Sequence, residues 1–395
     1  MSEWAKYWWS SVTGPHNFCD EVAQALRGRS NVCLFVPDDL PWRSDMRGGI
    51  ESSLRRWPEM EDFFFEVIDV ADECADADDI GRYLLRRYAP SAVATGFRGR
   101  GKIQQYILAN HVLEKRILWI KGMNAQQEGK WLQFCRDYVP ENEADGRLVI
   151  EMHFAQRESP RRNLAVISYR NRIGSYDLML FDSIYLSMEH RDYAPLWQQY
   201  AAVAAAQLCH TDAEIAQALM DRCDFTREEP ITALRDIAED GMYLRRGRGN
   251  ETHILSLVRS GDMPAIEKLI WKAQLQLLFP LAELERSTFI ETYRAEIAGA
   301  LEEKYIDPSD GRACRVYQFG ELLDDPENAE LGTLYRMTRL RCDADDERYL
   351  LYIPDRCAKD RLELLHTLRN ALAHGRCLPV ESVAAFIDAH PFRWK

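Results

Sequence analysis

No C-x-x-C pair occurs among the ten cysteines, and no Cys and His cluster has zinc-ligand spacing. Structural zinc and dithiol redox chemistry are thereby set aside. Cys19, Cys33, Cys74, Cys135, Cys209, Cys223, Cys314, Cys342, Cys357 and Cys377 are scattered, several in apolar stretches where a free thiol packs as a small core residue. This usage fits a reducing cytoplasm. No apolar run reaches the roughly 18 residues of a membrane span. The opening MSEWAKYWWSS has neither the basic n-region nor the long apolar h-region of a secretory signal. The expectation is a cytoplasmic protein with no membrane contact. Positive charge is scarce as well: 50 Lys and Arg against 63 Asp and Glu leave a net charge of −13. An acidic surface repels phosphates, so any contact with nucleic acid must be local. No Ser/His/Asp or Cys/His arrangement can be read from spacing.

What the chain has is core material. It is 46% hydrophobic with 10 Trp, 17 Tyr and 15 Phe, which excludes a mostly disordered chain. Its 395 residues give room for two or three domains.

Glycine is missing from one informative place. Asn31–Val36 (NVCLFV) reads as a buried strand, and Pro37-Asp38-Asp39-Leu40-Pro41-Trp42-Arg43-Ser44 follows it. On the pattern G-x-x-x-x-G-K-[ST], Pro37 and Trp42 take the glycine positions, Arg43 the lysine and Ser44 the hydroxyl. A phosphate cradle needs glycines so that backbone N–H groups can wrap the anion. Proline has no N–H, and an indole fills the space that phosphates need. Arg43 and Ser44 are then vestigial cofactor-binding positions, and no cofactor is expected.

Alternating strands and helices surround this loop. Strands are expected at Phe63–Val70, Arg116–Met123 and Gly146–Phe154, with a fifth at Leu164–Tyr169. Helices are expected at Gly48–Trp57, Ile80–Tyr88, within Lys102–Glu114, and at Asn124–Tyr138 with Asn124 as its cap. Short apolar strands separated by helices predict a parallel sheet covered on both faces. In a phosphate-loop domain the third strand ends in an acid that holds Mg²⁺. Here Ile117-Leu118-Trp119-Ile120 runs into Lys121-Gly122. Asp182, in LMLFDS, competes as that acid but comes late in the strand order. His153 stands at a strand end, where a lone His is ordinarily a core residue.

The strand–loop–helix start, the lost lysine and acid, and the helical half that follows resemble the inactive branch of the STAND/AAA-type NTPases. The resemblance covers roughly residues 31–186. It implies a retained fold, lost hydrolysis, and a regulatory or scaffolding part in a bacterial conflict (anti-phage) system.

Beyond it, helices are expected at Tyr193–Leu208, at Thr211–Met220 with a Thr211/Glu214 capping pattern, within Glu229–Leu257, and over Asp262–Glu303 with a break or kink at Pro280. Asp307–Asn328 reads as loop, and Ala329–Arg339 and Lys359–Leu372 as the last helices. Two basic stretches, Gly96–Lys102 and the Arg245/Arg246/Arg248 turn, read as solvated turns, the second with more chance of meeting a phosphate. Trp8, Trp9 and Trp42 read as apolar anchors that roof the sheet or meet a partner.

The last motif is Leu368-Arg369-Asn370-Ala371-Leu372-Ala373-His374-Gly375. It resembles the R-x(4)-H signature of HEPN domains, whose ribonuclease members join Arg and His across a dimer. That resemblance puts Arg369, Asn370 and His374 forward as catalytic. The imidazole would move a proton during 2′-OH attack and the guanidinium would steady the phosphorane. The bland reading has Asn and His tie the helix end to a neighbour while Gly375 stops the helix, and it is preferred here.

The resulting expectation is α/β then all-α, in three parts. Residues 1–190 form a degenerate phosphate-loop-like α/β domain, 191–260 a small helical or winged-helix-like subdomain, and 261–395 a helical, HEPN-like domain. The function expected is that of a non-hydrolysing regulatory or adaptor subunit acting on a protein partner encoded nearby. The alternatives are a metal-independent endoribonuclease using Arg369 and His374 as a dimer, with RNA at the C-terminal module, and an NTPase using Arg43, Ser44 and an unusual acid.

Overall fold

The structure is a computed structural model that describes residues 2–74, 79–153, 159–190, 192–307, 311–342 and 348–394. The chain divides into two compact units. The first holds Met1–Phe181 with His210–Ile215 and Arg246–Arg248. The second holds Asp182–Cys209, Ala216–Arg245 and Gly249–Lys395.

The first unit is built on a sheet of β1 (Asn31–Phe35), β2 (Phe64–Asp69), β3 (Arg116–Lys121), β4 (Arg147–Met152) and β5 (Leu164–Ser168). All neighbouring pairs are parallel, in the order β2-β3-β4-β1-β5. The inner strands β1, β3 and β4 are buried at most positions because helices cover both faces. Cys33, Ile68, Leu118, Ile120, Leu148 and Ile150 point into one layer, against helices Ile80–Tyr88, Ile103–Ala109 and Ala125–Asp137. Val32, Leu34, Ile117, Trp119 and Val149 alternate to the other face and are buried too. Trp8 and Trp9 are fully buried in the first unit, and Trp8 meets Phe181 edge-on at 5.5 Å.

Asn31 fixes the start of β1. Its amide donates to the carbonyls of Cys135 and Tyr138 at 3.0 and 2.8 Å, and its side-chain oxygen accepts from the Leu148 N–H at 3.0 Å. One buried side chain thus satisfies the end of a helix and the Leu148 N–H of β4. Asn124 caps helix Ala125–Asp137 in a full capping box with Gln127.

The strand order places the site. β1 lies between β4 and β5, whereas the Rossmann and flavodoxin orders both put the second strand beside the first. The chain leaves β1 toward β2 at one edge and leaves β4 toward β5 at the other. These adjacent strands send the chain in opposite directions, each connection passing the other strand, and a crevice opens at the carboxyl ends of β1, β4 and β5.

The second unit is helical apart from two small hairpins. Pro195–Cys209 and Arg356–Ala373 pack on the long helix Met263–Thr292. That helix passes through Pro280 without ending. Pro280 is exposed, so the carbonyl it deprives of a hydrogen bond faces water while buried neighbours such as Leu278 and Ala282 hold the helix. The expected break is corrected on this ground. The cap of helix Ala213–Arg222 also differs from expectation. Asp212, not Thr211, accepts the Ile215 N–H, at 3.3 Å. The expected loop 307–328 holds the outer strand of a first hairpin, β6 (Tyr305–Ile306) with β7 (Ala313–Cys314), and all of a second, β8 (Tyr317–Gln318) with β9 (Glu321–Leu322). A further helix, Val380–Ile387, follows the motif helix. Glu285 and Arg361 form a buried, two-bonded ion pair at 2.7 Å, and His390 Nδ1 meets the same carboxylate at 2.6 Å.

Candidate functional site

Helix Arg43–Leu54 starts at the carboxyl end of the sheet, with Trp42 in its cap position. Trp42 adopts a left-handed backbone, φ 41°, which is uncommon for a bulky residue. Its N–H does not face an open anion site. It donates to the Glu214 carboxylate at 2.9 Å. The same oxygen accepts from Arg246 Nη2 at 2.7 Å, and Arg246 grips Asp212 through two further bonds at 2.7 and 2.9 Å. Burial works to lower the Arg246 pKa, but Asp212 and Glu214 outweigh it and raise the value above that of free arginine. Arg246 is thus a partly buried structural cation, and the expected solvated turn is corrected at this residue. The indole of Trp42 rests against Phe181, ring centroids 5.8 Å apart.

Beside this clamp lies a cleft of about 370 Å³ whose lining includes Arg43, Ser44, Trp119, Lys121 and Glu151. Glu151 is buried near the end of β4. It accepts the Trp119 indole N–H at 2.6 Å and stands 3.4 Å from Arg43 Nη2 and 4.0 Å from His153 Nε2. Ser44 Oγ is turned to Asp45, at 3.4 Å. Lys121, at the end of β3, pairs with Asp69 at the end of β2, at 3.2 Å. Gly122 follows with φ 72°, and a Cβ there would collide with the Asp69 carboxylate. The acid expected at the end of a third strand is replaced by this Lys–Asp pair. A second cleft, of about 790 Å³, opens at the ends of β1, β4 and β5, with Pro37, Asp38, His153 and Arg170 on its wall. His153 is tied into the frame: its N–H donates to Glu128 at 2.6 Å and Nδ1 lies 3.3 Å from Asp38. Among the described residues no group of three His, Cys, Asp or Glu side chains could hold a metal ion.

No family model, curated protein or solved structure matches this chain.

Asp182, the competing acid, is within helix Ser175–Glu189, fully buried, with no hydrogen-bond partner for either oxygen among the described residues. Burial alone pushes its carboxyl well above the usual range, which disfavours the charged form that a cation would need. In the second unit, Arg369 lies 3.4 Å from Glu330 and 3.9 Å from Glu283. Asn370 bonds His366 at 2.8 Å, one turn back on its own helix, and His366 stacks on Tyr335 at 4.4 Å. His374 follows the helix as its cap residue and its side chain is exposed, with no hydrogen bond among the described residues. The hydrogen bond expected to tie His374 to a neighbour is therefore not made; the histidine that Asn370 engages is His366.

Sequence reasoning overlooked Glu151 and Asp212, and gave Glu214 a capping role with Thr211 in place of its bond to Trp42. For Glu151 a signal existed: an acid inside the buried strand RLVIEM must have a partner. For Glu214 none did, since its partner Trp42 is 172 positions away.

Proposed function

We propose that this chain is a non-hydrolysing regulatory or adaptor protein. Its α/β unit keeps the frame of a phosphate-loop NTPase and fills the anion position with its own carboxylate. The observation that carries the reading is the Glu214 carboxylate on the Trp42 N–H, clamped by Arg246. A helix N-terminus after a central parallel strand is a ready anion site; here an internal anion already takes one of its donors. The Lys121–Asp69 pair where a metal-binding acid is expected supports the same reading. Work through a protein partner, and a place in a bacterial conflict system, extend the resemblance to inactive STAND/AAA-type domains. Equilibrium binding of ATP and GTP with Mg²⁺ tests the proposal. The expected result is no binding in the micromolar range and no hydrolysis. A micromolar Kd abolished by Ser44→Ala would sink it.

The ribonuclease alternative gains nothing from Arg369, which sits between two carboxylates and would have to leave both to meet a phosphate. RNA cleavage by the wild type, lost in a folded His374→Ala protein, would restore it.

A further inference from the structure

The β8–β9 hairpin breaks a local rule in a telling way. Its two turn residues are Phe319 and Gly320, with φ 53° and 86°. Two positive φ values mark a type I′ turn, whose first position favours Asn, Asp or Gly. A phenylalanine there is strained, because its Cβ crowds the backbone in the left-handed region. Nothing in the fold repays that strain, since Phe319 is 84% exposed. Tyr317 and Leu322, directly paired across the hairpin, are 52% and 40% exposed. Three large apolar side chains therefore lie together at one tip.

The opposite face is pinned. Gln318 donates to the Asn328 carbonyl at 2.9 Å and accepts from the Glu330 N–H and the Thr333 hydroxyl at 3.0 and 2.8 Å. Arg336 donates to the Tyr317 carbonyl at 2.9 Å, and the Leu323 N–H to the Val316 carbonyl at 3.0 Å. The aromatic tip is thus held in place before any encounter, and such pre-ordering lowers the entropic cost of binding. Strain kept at an exposed aromatic is expected where function, not folding, selects the residue. The chain that follows Phe319 is acidic, with Glu321, Asp324, Asp325 and Glu327 and no cation among them, while Arg336 is bonded to the Tyr317 carbonyl and Glu327 is paired with Arg294. Glu321 and Asp324 are exposed.

We propose that the β8–β9 tip is a docking knob, with Phe319 as anchor, for a protein partner that presents an apolar pocket rimmed by lysine or arginine. The acidic flank disfavours an anionic membrane and a second copy of this acidic chain as the occupant. The proposal names the surface for the adaptor reading and rests on it. Its test is independent of nucleotide.

Phe319→Asn supplies the residue that the turn prefers. Its melting temperature should rise above that of the wild type, because exposed Phe319 contributes strain and no packing; a fall would overturn the proposal by making Phe319 structural. A photo-crosslinking phenylalanine analogue at position 319 should then identify the partner in native cells. The purified partner should bind Phe319→Asn and Phe319→Ala at least tenfold more weakly than the wild type, and binding to the wild type should weaken with added salt. Absence of any cross-linked protein, an affinity unchanged in both variants, cross-links only to a second copy, or loss of binding to phosphatidylserine/phosphatidylcholine vesicles in Phe319→Ala would each overturn it. ATP binding by the wild type would refute the adaptor reading while leaving these outcomes distinct.

Discussion

Glu214→Ala removes the carboxylate that closes the start of helix Arg43–Leu54. Two hydrogen bonds go with it, from the Trp42 N–H and from Arg246 Nη2. A hydrogen bond to a charged group contributes about 1.5–3 kcal/mol, and a buried donor left unmet costs about 1–3 kcal/mol. The loss is moderated because Arg246 keeps both bonds to Asp212 and the Glu214 side chain is 23% exposed. A net loss of about 2 kcal/mol is expected, read as a lower urea midpoint at unchanged slope. If the carboxylate stands in for an anion, inorganic phosphate should stabilise Glu214→Ala and leave the wild type unmoved. A helix N-terminus favours an anion by about 0.3–1 kcal/mol when exposed, and by up to about 2 when partly buried. ATP should still fail to bind tightly, because Pro37 has no N–H to offer and the Trp42 side chain remains. A loss below about 0.5 kcal/mol, within the scatter of ordinary surface substitutions, would refute the clamp. Equal protection of both proteins by phosphate would refute the anion replacement.

Asn31→Asp turns a carboxylate toward two carbonyls and should cost about 3 kcal/mol in urea unfolding, since each buried group left unmet costs about 1–3 kcal/mol; a loss under about 1 would contradict the three bonds seen. Asp182→Asn should raise the melting temperature at pH 7 and leave it unchanged at about pH 3.5, below the unfolded carboxyl value of about 3.9. The sign follows from a folded pKa raised above the unfolded one: as pH rises the unfolded chain gives up a proton that the folded chain keeps, so wild-type stability falls with pH. For His366 burial first, then the charge of Arg369, depresses the folded pKa. The unfolded chain then binds more protons below about pH 6.5, so this contribution is complete above that value and is lost as pH falls through the folded pKa. Melts of His366→Gln across pH 5–7.5 should show a weaker pH dependence than the wild type, and equal slopes would refute it. His374→Ala should move stability by no more than about 0.5 kcal/mol, as for other exposed residues, and a larger loss by thermal melting would show a contact that the structure lacks.

The sheet was legible because buried parallel strands advertise themselves. NVCLF, RILWIK and RLVIEM are continuous apolar runs bounded by polar loops, and they form β1, β3 and β4. Capping chemistry was legible at Asn124, where the box lies within four residues. It misled at Thr211, because Asp212 one position on is an equally good acceptor and Glu214 is drawn away to Arg246 and Trp42. Two-residue strands such as β8 and β9 are too short to show a period of two. The helix Val380–Ile387 was missed because about two turns after a proline carry little periodic signal.

The functional clues were less legible for a reason that concerns contact distance. The altered loop could be seen locally, since glycine, proline and tryptophan differ in what their own backbones can do. What engages the Trp42 N–H could not, because it arrives from positions 212–214 and 246, far beyond any window of local pattern. Arg369 shows the same divide. Its five-residue spacing from His374 suggests a catalytic pair, yet its environment is set by Glu283 and Glu330 from other elements. A motif fixes which side chains are available; the fold decides which are already engaged. For Arg43, Arg246 and Arg369 alike, a carboxylate of the chain's own lies within ion-pair reach. A phosphate would have to displace that carboxylate before it could bind, which sets a cost against nucleotide and RNA at each of these cations.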